Sequence, residues 1–114
     1  MSVRAQLTEE TGIVIEGNEV ILPEDKAATE CLAGLTKFLI KNGYLSESDF
    51  PIQSGPERYL INSEPVHRNG REMVRPKNIE GYHLECNYSI HSIKNKMMDL
   101  LQMTNFQTST DNGN

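Results

Sequence analysis

Residues 22–43, LPEDKAATECLAGLTKFLIKNG, constrain the fold more than any other stretch of the chain. Ala28, Cys31, Leu32, Leu35, Phe38 and Leu39 recur at spacings of three and four, which on a helix makes a single apolar face. Pro23 suits a first helical turn, Glu24 and Asp25 complement the positive end of the helix dipole, and Asn42-Gly43 supplies a C-terminal stop. Gly34 interrupts this pattern at a cost of about 1 kcal/mol relative to Ala, which points to close packing there, against a strand. A helix with one apolar face must lie on an apolar layer, and the rest of the chain has to provide it.

That layer reads as strands. GIVIEGNEVIL (12–22) places two β-branched runs around Gly17-Asn18, a hairpin turn whose residues tolerate positive φ. YLSESDFP (44–51) is a short helical turn, capped by Ser46 and ended by Pro51, and IQSGPE reads as loop. RYLINS (58–63) is a strand. Asn69-Gly70 is the strongest hairpin-turn signal in the chain, with 72–74 as its return strand, stopped by Pro76. GYHLECNY (81–88) alternates with period two, and SIHSIKNKMMDLLQM (89–103) is a second helix. Ser89 is its cap, and Ile90, Ile93, Met97, Leu100 and Leu101 are its buried stripe. The order ββα-βββα implies an α+β fold: a small antiparallel sheet built from hairpins, with two helices packed on one face. Residues 1–103 form the expected single domain, and 104–114 a polar tail expected to be disordered apart from Phe106.

A chain of 114 residues can bury a core without metal or disulfide support. No apolar run approaches the ~18–20 residues of a membrane span. The N-terminus has no apolar core of the secretory kind, and Cys31 and Cys86 are read as reduced, partly buried thiols of a cytoplasmic protein. No cofactor is implied.

The charge is uneven. Residues 1–57 hold ten acidic and four basic side chains, whereas 58–96 hold seven basic and four acidic ones. VHRNGREMVRPK (66–77) alone carries four of the chain's eleven Lys and Arg residues, in a protein of net charge −5. Alternation places Tyr82, Leu84 and Cys86 toward the core and His83, Glu85 and Asn87 opposite. The same rule puts Tyr59 and Ile61 inward, and Arg58, Leu60 and Asn62 outward. If both strands share a sheet, its open face is polar, rimmed by the basic hairpin.

Solvation alone accounts for many polar sheet faces, and cations at turns also discourage edge-to-edge pairing. The functional reading is anion binding. Arg68, Arg71 and Arg75 offer planar forks suited to phosphate, Lys77 adds a point charge, and His67 stands in the same turn. Ser89 and Lys94 lie at the start of the second helix, where free N–H groups favour anions. The expected ligand is a nucleotide, a short nucleic acid or an acidic protein segment, bound by a non-enzymatic regulatory module that forms a homo-oligomer. Extended duplex DNA would demand a wider positive field.

The alternatives are a protein-interaction or oligomerisation module and a metal-independent phosphodiesterase-type hydrolase using two of His67, His83 and His91. Zinc would need His83 and Cys86 on one side of a strand, although residues three apart face opposite sides. A winged helix would need a helix-turn-helix before the wing, and only one long helix precedes it. No Walker loop, dinucleotide fingerprint, nucleophile elbow or calcium loop is present.

Overall fold

Ser2 and Gly12 bracket a helix that apolar periodicity does not announce. In the computed structural model, which describes residues 2–106, helix α1 spans Val3–Thr11. Ser2 Oγ accepts from the Ala5 amide at 3.1 Å, and Gly12 ends the helix at φ 82°. Only Leu7 and Thr11 of α1 are buried, so its apolar signal is thin. The ring of Pro23 closes on Gly12, where an added Cβ would lie 2.9 Å from Pro23 Cγ. Pro23 is thus a packing residue, and helix α2 begins later than expected, at Ala28, running to Lys41. Its start is fixed by Glu30, whose carboxylate accepts from the Ala27 amide at 3.2 Å.

The hairpin 12–22 forms as expected, with β1 (Val14–Glu16) and β2 (Glu19–Ile21) joined at Gly17-Asn18. It is, however, a separate two-stranded sheet. The main sheet contains β3 (Ile52–Gly55), β4 (Arg58–Asn62), β5 (Pro76–Ile79) and β6 (Tyr82–Glu85), all antiparallel in the order β3-β4-β6-β5. The fold class is α+β, as expected, but with two sheets and a third helix. Strand β3 occupies the expected loop IQSGPE; it is short and irregular in register, and it buries only Ile52. Strand β5 begins at Pro76 instead of stopping there. It is an edge strand, where a residue without an N–H is tolerated.

The Asn69-Gly70 turn is present, but it is not the tip of a two-stranded ribbon. The Gly70 amide donates to the His67 carbonyl at 2.9 Å and the His67 amide to the Arg71 carbonyl at 2.8 Å. A single bridge, Val66 with Glu72, follows. The expected return strand 72–74 is reduced to this bridge: the Met73 amide still donates across to the Pro65 carbonyl at 2.9 Å, but the Val74 amide turns to Glu85.

Helix α3 (Ile90–Met103) buries Ile93, Met97, Leu100 and Leu101, while Ile90, in its first turn, is 63% exposed and leaves the expected stripe. Ser89 caps it as expected, accepting from the Ser92 amide at 3.2 Å. One apolar cluster gathers residues from all three helices and both sheets. Gly34 serves close packing, but against a helix: an added Cβ would sit 3.2 Å from Thr11 Cγ2 of α1. The core also includes Phe106, the residue excepted from the expected tail. Phe106 is fully buried, edge-on to Phe38 at 6.0 Å and to Tyr44 at 5.3 Å between ring centroids. The rest of the expected tail, 107–114, lies outside the described residues.

Phe106→Ala should therefore cost about 3–5 kcal/mol in urea unfolding, the scale of a fully buried ring. A loss below about 1 kcal/mol would place Phe106 outside the core.

Candidate anion-binding site

The site is built on the pairing of β4 with β6. Ile61 faces Leu84, and Asn62 faces His83. Alternation then puts Ile61 and Leu84 on the core face, and Arg58, Leu60, Asn62, His83, Glu85 and Asn87 on the other. The expected face is therefore assembled, but it is not open throughout. Leu60 and Glu85 are each only 2% exposed: Leu60 belongs to the apolar core cluster, and the segment between β4 and β5 folds back across Glu85.

Contacts along its whole length tie that segment down, and at its end the Cys86 amide donates to the Arg75 carbonyl at 3.0 Å. Asn62 Nδ2 donates to the Val66 carbonyl at 3.0 Å, and the Asn69 amide to the Glu57 carbonyl at 3.3 Å. Others centre on Glu85. Its carboxylate accepts from the Val74 amide at 2.9 Å, the Arg75 amide at 2.8 Å and His67 Nε2 at 3.1 Å. His67, also buried, accepts at Nδ1 from the Tyr59 amide of β4 at 3.0 Å. An amide can only donate, so Nδ1 carries no proton and Nε2–H is the donor to Glu85. The imidazole is neutral and joins β4 to β6 through the folded-back segment.

Burial pushes the Glu85 carboxyl up, but the Arg75 and Val74 amides, His67 and the Asn87 amide outweigh it and hold the group below its ordinary value. No guanidinium takes part in this balance. The internal anion is satisfied by neutral donors, and the cations around it are left to face outward. Arg58, Arg71, Arg75 and Lys77 are exposed, and their side chains form no hydrogen bond or ion pair among the described residues. Arg68 reaches only the Pro56 carbonyl, at 3.5 Å.

Arg58 borders an open hollow of about 310 Å³, lined also by Gly55, Pro56, Glu57 and Asn69. Tyr88 adds an aromatic surface with cations near it. Its hydroxyl lies 3.0 Å from Ser54 Oγ, Lys96 Nζ stands 4.9 Å from its ring centroid, and Arg58 acts on it electrostatically. Burial pushes the Tyr88 phenol up, so it stays neutral around pH 7. Lys96 and Ser54 are not among the residues expected from sequence, and nothing in their spacing marks them. Asn87, Ser89 and Lys94 are exposed, His83 is half-buried, and Ser89 already occupies the Ser92 amide as a cap.

His67, His83 and His91 are not joined by any contact; His91 lies 3.5 Å from Asn95 on its own helix. Among the described residues, no three His, Cys, Asp or Glu side chains gather as a metal site, and no helix is long and apolar enough to cross a membrane. Cys31 and Cys86 are free and buried, and burial raises both thiols. A larger hollow of about 500 Å³ lies between α1 and α2, and no expected site residue lines it. No protein-family model matches the chain, and comparison with curated proteins and with solved structures gave no match.

The buried carboxylate has a pH signature. With its folded pKa below the unfolded one, Glu85 contributes fully to stability above the ordinary carboxylate value of about 4.3. That contribution is lost as pH falls through the depressed folded value. Glu85→Gln should destabilise the protein by about 2–3 kcal/mol at neutral pH and flatten the acid limb of its stability curve. Denaturant midpoints across that range check both; an unchanged acid limb would contradict the assignment.

Proposed function

We propose that this chain is a non-enzymatic cytoplasmic binding or regulatory module that takes an anionic ligand, a nucleotide or short nucleic acid, on the 66–77 segment and the polar sheet face. One observation carries the reading. Arg58, Arg71, Arg75 and Lys77 stand exposed and, among the described residues, unpaired, on or beside a segment tied to the sheet, while the adjacent buried anion is neutralised by amides and a neutral imidazole. Fixed guanidinium groups suit phosphate oxygens, and Tyr88 with Lys96 offers a place for a base. Arg68, Ser89 and Lys94 would extend the contact along the backbone of a strand. An acidic protein segment, including one from a second copy in a homo-oligomer, is the second reading; Val74, 65% exposed between Arg71 and Arg75, favours it.

The test uses labelled oligothymidylate in fluorescence anisotropy, with thermal shift as a second readout. Ligand at a hundred times Kd raises stability by about 2.7 kcal/mol. Arg71→Ala and Arg75→Ala should each weaken binding. Each should also reduce the slope of log affinity against log salt by about 0.7 for every phosphate that the removed guanidinium neutralises. Arg75→Ala keeps the amide that holds Glu85, so its fold should persist. Binding unchanged in both variants would contradict the reading, and no binding to any nucleotide or oligonucleotide would favour the protein partner.

A further inference from the structure

We infer that His67 and Glu85 form a proton-operated latch that holds the 63–75 segment to the sheet at His67 and at the Val74 and Arg75 amides, and loosens it there on acidification. The carboxylate gathers the Val74 and Arg75 amides, and the imidazole spans from it to the Tyr59 amide. Every link in this chain needs a particular protonation state. A proton taken from solvent by His67 Nδ1 turns an acceptor into a donor facing the Tyr59 N–H, and the imidazole has to leave β4. A proton taken by Glu85 likewise removes an acceptor from the Val74 or Arg75 amide. Neither hydrogen bond survives with the other side unchanged.

Few other ionisable groups act on the pair. Cys86 and Tyr88 couple electrostatically to Glu85, Lys77 acts on Cys86, and Arg58 acts on Tyr88. The thiol and the phenol are both neutral below pH 7; the segment also carries Glu64 and Glu72, and His83 faces Asn62, but only His67 and Glu85 hold it by side-chain hydrogen bonds that change with a proton. The loosened segment carries Arg68, Arg71 and Arg75, so the latch would regulate ligand capture, a consequence that rests on the anion-binding reading above.

Amide exchange on 15N-labelled protein, from about pH 8 to about pH 4, spans the range in which imidazoles titrate, while the Glu85 carboxyl, held below its ordinary value, stays ionised over most of it. The protection factors of Tyr59, Val74 and Arg75 should fall together, by about tenfold per pH unit for each proton taken up. Those of Ile61 and Leu84 should hold. The side-chain 15N shifts of His67 should report proton uptake with the same midpoint, and His67→Gln should remove that step. Protection that stays level, or that falls only with the core amides, would overturn the latch, as would a step that persists in His67→Gln. Oligothymidylate anisotropy over the same range separates the two claims. Acid makes the protein less negative and would by itself strengthen anion binding, whereas an opening latch weakens it. Protein that binds the probe and keeps its protection overturns the latch alone. Protein that loses protection but binds no probe at any pH overturns the anion site and leaves the latch.

Discussion

The carboxylate of Glu85 is the point on which the polar half of the structure depends. An ionised group removed from water costs several kcal/mol unless hydrogen bonds replace its hydration. Here two consecutive amides and an imidazole N–H replace it. The consequence runs outward. To deliver the Val74 and Arg75 amides, the chain after β4 must turn back at Asn69-Gly70 and lie across the sheet. That geometry diverts the Val74 amide from further pairing, so the ribbon behind the turn ends at the Met73–Pro65 bond. The same segment fixes the backbone of Arg71 and Arg75 while leaving their side chains pointing to solvent.

Neutral donors around a buried anion also explain how an acidic protein can display a positive surface. Had Glu85 been paired with Arg75 or Lys77, one cation would have been drawn inward and its charge cancelled. Amides and a neutral histidine stabilise the carboxylate without spending a cation. The seven basic residues of 58–96 thus keep their charge for the exterior, against only four acidic ones, of which one is buried. The acidic remainder of the chain keeps the whole negative, which limits attraction to extended polyanions.

Much of the scaffold was legible in the sequence, and the exceptions have physical reasons. The apolar stripe of α2, the Gly17-Asn18 turn and the Ser89 cap of α3 are local signals, and local signals survive into the fold. Helix α1 carried only its punctuation, Ser2 and Gly12, because a helix with two buried residues has almost no stripe to read. Strand β3 is too short and irregular to alternate. Pro76 reads as a strand stop in sequence, and only its place at a sheet edge makes it a strand start. The alternation of β4 and β6 put Glu85 on the side away from the core, which is where it lies. Its burial comes from a segment that covers it from ten or more residues away, and period-two patterning has no view of such a cover. The role of Lys96 beside Tyr88 is equally non-local, set by the direction in which α3 leaves the sheet.

The order of the basic segment turns on the protonation pattern of one side chain, and long-range 1H–15N correlation at neutral pH reads it directly. The arrangement predicts His67 as a single neutral tautomer, with the proton on Nε2 and an acceptor-type Nδ1 shifted by the Tyr59 amide. A proton on Nδ1, an imidazolium, or an exchange-averaged ring of the kind seen for solvent-exposed histidines would contradict it. In that case the Glu85 carboxylate would not be what orders the basic segment.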